Sequence, residues 1–224
     1  MGKEGYAKFV KRYRDLLDTQ WENYLVYGPL TNQYWSEKYR ILFCNLEPHH
    51  LGKQFGKPEV DYKYIEENWL GNSTIENSKL FVDALFKALE SGRALSSIQI
   101  EKLCADTKYN LSPLRRISYM NWRVTTSNET NQSTNAILNQ TRKLKDLIRE
   151  QIEFLDPKVV IVGGKLSPLI VNELYSSNLE FGKHKFINGK LFFSIPHPSR
   201  KGFVSYAERI GRIKKLLIEK VVEH

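Results

Sequence analysis

Lys158-Val159-Val160-Ile161-Val162-Gly163-Gly164-Lys165 decides the fold. Four consecutive β-branched residues follow a helix-breaking Asp156-Pro157, and two glycines end the run. A continuous apolar run of this length reads as a strand buried on both faces, which is the habit of parallel strands in α/β sheets. The glycine pair then turns the chain straight into Lys165–Leu174, which reads as a helix. Upstream, Leu144, Leu147, Ile148, Ile152 and Leu155 form an amphipathic helix. The unit is therefore helix–strand–helix, the building block of a parallel sheet covered by helices.

Similar units recur on either side. Tyr39–Cys44 is an apolar run ending at Asn45-Leu46-Glu47-Pro48-His49-His50, and Pro48 stops further pairing there. Arg116–Met120 is a second strand, ending at Asn121-Trp122. Leu191–Ile195 is a fourth, ending at Pro196-His197-Pro198-Ser199. Helices are predicted over Tyr6–Leu17, around Phe81–Leu89 with Gly92 past its end, from a Ser96/Gln99 capping box to Leu103, and from near Ser205 to Val221. Residues 51–75 read as a long loop, and Thr125–Gln140, rich in Thr, Ser and Asn, as a surface loop. No tight hairpin stands out. The expected fold is α/β: a central, mostly parallel four-stranded sheet flanked by helices on both faces. It is expected to form a single domain over 1–224, with residues 1–38 as an N-terminal helical extension.

The chain has 224 residues, 41% hydrophobic and 26% charged, an ordinary globular composition. Two cysteines exclude a disulfide-dense scaffold and a four-cysteine zinc or iron–sulfur site. The 34 basic residues outnumber the 25 acidic ones, giving +9, and the pI is about 9.4. Such a surface favours polyanions, and nucleic acid is the first partner to consider. From Lys183 to Lys215 basic residues face Glu208 alone, and that run includes the His197 loop. No apolar run approaches the roughly 20 residues a membrane span needs, and no signal core opens the chain. A cytoplasmic monomer without cofactor is expected.

In parallel sheets ligands bind outside the carboxyl ends of the strands, and all four candidate strands end in polar, turn-forming clusters. Glu47 at such an end can polarise a water, although Glu-Pro-His-His is equally a turn carrying a surface acid. Glu47, His49, His50 and His197 lack a recognised metal-ligand spacing, so no metal is expected, and a metal-dependent hydrolase is the weakest reading. His197 in a proline-bounded turn can donate to a ligand, and Ser199, Arg200 and Lys201 supply a phosphate grip. Gly163-Gly164-Lys165 lacks the Walker and dinucleotide patterns and on its own is a tight turn.

The order of these elements resembles the uracil-DNA glycosylase superfamily. The resemblance rests on N-L-E-P-H-H after the first strand, an Asn ending the second, D-P-K-V-V-I-V-G-G-K, and a strand followed by P-H-P-S. It covers roughly residues 39–218. It implies a DNA glycosylase acting on uracil or another deaminated base, with DNA as partner and no iron–sulfur cluster. Glu47 then stands where the family positions the attacking water, and His197 where it stabilises the departing base. Asn121 matches the Asn that reads the base edge, with Leu46 and His49 beside it. Tyr62 and Phe55 are candidates for stacking on the flipped base. Gly164, Lys165, Ser199, Arg200 and Lys201 match loops that hold the DNA backbone. Glu47 and His197 are expected to face each other across one base-sized cleft.

Three positions depart from the family pattern: Asn45 replaces a Gly, Glu47 an Asp or Asn, and Lys201 a wedging Leu. They motivate the alternative, a protein of the same fold that binds nucleic acid or a nucleotide without excising a base.

Overall fold

The computed structural model describes residues 3–21, 24–46, 59–106, 110–123, 134–198 and 202–222. The chain divides into two compact units. The first comprises residues 1–65 and 115–196, the second residues 66–114 and 197–224.

The first unit holds a seven-stranded mixed sheet flanked by helices. Its strands are β1 (Val26–Pro29), β2 (Ile41–Asn45), β3 (Glu59–Val60), β4 (Ser118–Asn121), β5 (Val159–Gly163), β6 (His184–Ile187) and β7 (Lys190–Ile195). Their order is β3-β1-β4-β2-β5-β7-β6. Central strands β4, β2, β5 and β7 are parallel to one another. These are the four strands read from the sequence, and every residue of β2, β4, β5 and β7 is buried. Burial on both faces explains why they appear as unbroken apolar runs rather than alternating ones.

Three further strands enlarge the expected sheet. β6 and β7 form an antiparallel hairpin around Asn188-Gly189, both with positive φ (49° and 76°). Asn-Gly is the pair that a tight two-residue hairpin turn demands, so this hairpin was legible and the no-hairpin reading is corrected. β1 lies within residues 1–38, so that segment contributes a strand as well as a helix; it pairs parallel with β3 and antiparallel with β4. Gly28-Pro29 punctuates a loop on sequence grounds, yet it forms the end of β1. A Cβ on Gly28 would sit 2.1 Å from the Tyr6 hydroxyl, which itself donates to the Tyr27 carbonyl at 2.7 Å. Close approach of a side chain, not a turn, explains this glycine.

Helix α1 (Lys3–Asp18) buries Phe9, Tyr13 and Leu17, one residue per turn. Phe9 packs on Phe154 (centroids 5.3 Å apart) in α6 (Lys145–Leu155). The expected loop 51–75 instead contains β3, α2 (Tyr62–Trp69) and the start of α3 (Ser73–Ser91). The expected loop over Thr125–Gln140 ends in α5 (Thr134–Lys143), which buries Ile137, Gln140 and Thr141. Polar composition concealed a helix whose inner face is only partly apolar. Helix α7 (Ser167–Tyr175) completes the first unit.

The second unit is helical: the end of α2, then α3, α4 (Ser97–Asp106) and α8 (Phe203–Val222). The expected capping box is present, with Ser96 N–H donating to Gln99 Oε1 at 2.8 Å and Gln99 N–H to Ser96 Oγ at 3.3 Å. Gly92 ends α3 at φ 65°, the left-handed conformation that glycine adopts without strain. Among the described residues no helix is long and apolar enough to cross a membrane.

Candidate functional site

The four parallel strands run second, first, third, fourth across the sheet, counted in chain order. From β2 the chain moves out to β4 on one side, then crosses to β5 on the other. The crevice of such a sheet opens outside the carboxyl ends of the first and third strands, here β2 and β5. Asn45 ends β2, Gly163 ends β5, and Asn121 ends the adjacent β4.

Asn45 and Asn121 are direct register partners. Parallel partners point their side chains to the same face, so two carboxamides stand side by side at this rim. Both are buried, at 1% and 2% exposure. Each is tied through its nitrogen to a phenol: Asn45 Nδ2 donates to Tyr119 Oη at 2.7 Å, and Asn121 Nδ2 to Tyr27 Oη at 2.9 Å. Each leaves its Oδ1 buried and accepting no hydrogen bond from the described residues. The Tyr119 ring stacks on Phe43 (centroids 6.4 Å, planes 7° apart), which holds the first pair upright.

Burial pushes the Tyr27 and Tyr119 hydroxyls far above the usual phenol range, although the amide hydrogen bonds pull the other way. They stay protonated and neutral at physiological pH. Burial raises the Cys44 thiol likewise, so this neighbour is not a ready nucleophile. The two carboxamides and the two phenols are buried and neutral. A carboxamide with one N–H committed and its oxygen bare still offers an acceptor beside a second N–H donor. That is the complement of an N–H/C=O edge, such as the imide of a pyrimidinedione or the lactam of an oxopurine.

The end of β4 is locked in place. Trp122 N–H donates to Asn45 O at 2.9 Å, and Arg123 N–H to Leu46 O at 3.1 Å. The buried Trp122 indole donates to Ser167 Oγ at 2.9 Å, and that hydroxyl donates to Gly163 O. Gly164 stands at φ 89°, its N–H bonded to Ile195 O at 3.0 Å. Lys165 follows it, exposed, two residues before α7.

Of the residues singled out from the sequence, Asn121, Leu46, Gly164 and Lys165 lie at this carboxyl rim. Tyr62 does not, which corrects its assignment as a base-stacking residue. β3 runs parallel to β1, and β1 runs antiparallel to β4, so the chain leaves β3 at the amino end of β4. There Tyr62 N–H donates to Leu30 O at 3.0 Å, and the Arg115 guanidinium lies 4.3 Å from its ring centroid. His197 is half-buried and belongs to the second unit. Glu47, His49, Phe55, Ser199, Arg200 and Lys201 lie outside the described residues.

The basic run is not a continuous exposed track. Lys190 is 7% exposed and paired with Glu153 at 2.7 Å, so it is not part of an exposed track. Lys214 donates to Gly92 O at 2.6 Å. Burial lowers the pKa of Arg209, whose Nε donates to Ser205 Oγ at 2.8 Å. Lys183 and Arg212 are exposed.

The role of Asn45, Tyr119 and Tyr27 was not read from the sequence. A polar residue closing an apolar strand was the available signal for Asn45; the phenols look like ordinary strand aromatics. Among the described residues, no cluster of three or more His, Cys, Asp or Glu could hold a metal ion. Neither protein-family models nor curated proteins give a match to this chain.

Proposed function

We infer that this protein hydrolyses the N-glycosidic bond of uracil or another deaminated base in DNA. The observation that carries this reading is Asn121, a buried strand-end carboxamide whose nitrogen is fixed by Tyr27 and whose oxygen has no donor among the described residues. An unpaired buried acceptor costs about 1–3 kcal/mol. A base that brings an imide N–H to Oδ1 and a carbonyl to the remaining Nδ2 hydrogen relieves that cost.

In this reading the C1′–N bond breaks, its electron pair passes to the base, and water adds to C1′ as hydroxyl while its released proton ends on the base. Glu47 orients the water and stabilises positive charge developing on the sugar. His197 donates to the oxygen where negative charge collects on the base. Each such group contributes on the order of 2–4 kcal/mol to lowering the barrier. Leu46 and His49 bound the base, and Phe55 remains the candidate for stacking on it. Gly164, Lys165, Ser199, Arg200 and Lys201 hold the phosphates. The base must leave its stack first, which costs a few kcal/mol and least in single strands or mismatches. With a net charge of +9, binding should weaken steeply with salt.

The test is incubation with end-labelled oligonucleotides containing uracil, hypoxanthine or xanthine, single- and double-stranded, followed by alkaline cleavage at abasic sites. Strand breaks that disappear in the Glu47→Gln and His197→Ala proteins are expected. If no base is released while salt-sensitive DNA binding persists, the protein is instead a binder. The buried Asn45 in place of the family's glycine favours that second reading.

A further inference from the structure

The second unit contains a polar stripe where a buried helix face ordinarily carries apolar residues. On α3, Thr74, Asn77 and Ser78 fall on one side at helical spacing, 5%, 1% and 0% exposed. One turn further on the same face is apolar again, with Phe81 set edge-on against Tyr206 of α8, centroids 5.2 Å apart. Asn77 is the member of this stripe with a defined distant partner: its Nδ2 donates to the carbonyl of Pro198, 121 residues away, at 2.5 Å. Pro198 is itself buried.

The sequence Pro196-His197-Pro198 explains why a side chain performs this task. Neither proline has an N–H, so this three-residue stretch holds one backbone donor, that of His197. Such a turn has few backbone donors with which to tie itself down. Its conformation is nevertheless narrow. The proline rings fix φ at 196 and 198, and Pro198 restricts His197 to extended backbone. In a segment with so few free torsions, an anchor on the Pro198 carbonyl also sets where the preceding imidazole stands.

We propose that Asn77 is a positioning residue for His197, acting from α3 through the Pro198 carbonyl. The proposal rests on the glycosylase reading for its kinetic consequence, but not for its structural one. Asn77 touches no reacting atom. It holds the donor that must meet the base oxygen as charge develops there. A displacement of about 1 Å at such a group costs up to about a hundredfold in rate.

The test uses the full-length Asn77→Asp protein, which keeps the shape of the side chain and removes the donor. Two readouts are taken. The first is the Hε1 NMR resonance of His197, assigned by its loss in His197→Gln. The second is kcat and KM on a single-stranded uracil oligonucleotide. The expected result is a shifted or split His197 resonance with the His184 resonance unmoved, kcat lowered about ten- to a hundredfold, and KM within about twofold. Should Asn77→Asp not fold, Asn77→Ser carries the same readouts. An unchanged His197 resonance overturns the proposal, as does a rise in KM at constant kcat. If the native protein releases no base, the functional reading fails and the resonance alone decides whether Asn77 positions His197.

Discussion

The two rims of the central sheet in the first unit are built on opposite principles. At the amino end, charges are closed into pairs. Arg116 grips both oxygens of Glu37 at 2.8 Å each. Arg40 donates to the Asp156 carbonyl at 2.9 Å and pairs with its carboxylate. Tyr34 donates to Leu155 O at 2.8 Å, and Arg115 covers Tyr62. The Ser118 hydroxyl aside, the polar groups named at this rim find protein partners. At the carboxyl end, two neutral carboxamides are buried and each keeps an oxygen bare. Each open acceptor costs stability, and here two stand side by side on register partners. The comparison teaches that the amino rim closes its charges into pairs, while the carboxyl rim keeps two neutral acceptors open, where the proposed base would bind.

The sharpest way to break this contrast is Asn121→Leu. Base release should fall about a hundred- to a thousandfold, while thermal stability should change little, because the buried unsatisfied oxygen leaves with the side chain while the buried Tyr27 hydroxyl loses its donor. Calorimetry beside the alkaline-cleavage assay checks both. A loss of stability equal to the loss of activity would place Asn121 with the structural rim instead.

The next effect is on pH dependence. Burial raises Tyr6, Tyr13, Tyr27, Tyr34 and Tyr119 in the folded chain. Above about pH 10 the unfolded chain loses these protons while the native state keeps them. The stabilising difference is therefore complete below the unfolded value and declines as pH rises. Each such phenol should steepen the alkaline loss by about 1.4 kcal/mol per pH unit. Removing one carboxyl-rim phenol by Tyr119→Phe should lower the slope by about one proton, read from denaturant unfolding at a series of pH values.

Arg116→Ala should cost about 1–2 kcal/mol, moderated by the partial exposure of both partners. It should leave the rate of base release unchanged, and urea unfolding with a parallel assay checks this. Smallest is Tyr62→Leu. Loss of the Arg115 stack should cost about 0.5–1 kcal/mol with no effect on excision. A large excision defect there would mean that Tyr62 reaches the base after all and would undo the distinction between the rims.

Much of the central sheet could be read from residues, for a specific reason. β2, β5 and β7 are covered on both faces, so their local composition carries the information. β1 could not be read that way: Gly28-Pro29 looks like a turn, and what makes it strand is the Tyr6 hydroxyl seated against Gly28. α5 was hidden because its buried face includes Gln140 and Thr141. At the site, Asn121 was legible as a polar residue closing a strand. Its pairing with Tyr27, 94 residues distant, was not, because local pattern says nothing of which strand lies alongside. Tyr62 was misassigned for the same reason: its distance along the chain from the first motif suited the task, and the antiparallel pairing of β1 with β4 carried it to the other end.

The sequence by itself determined the four parallel strands, the polar clusters that close them, and the surplus of positive charge, because these follow from burial and composition within short windows. Only the tertiary structure decided the strand order, and with it which two ends flank the crevice. It also decided which side chains meet there, since a hydrogen bond between a carboxamide and a phenol depends on register across strands and not on neighbours along the chain.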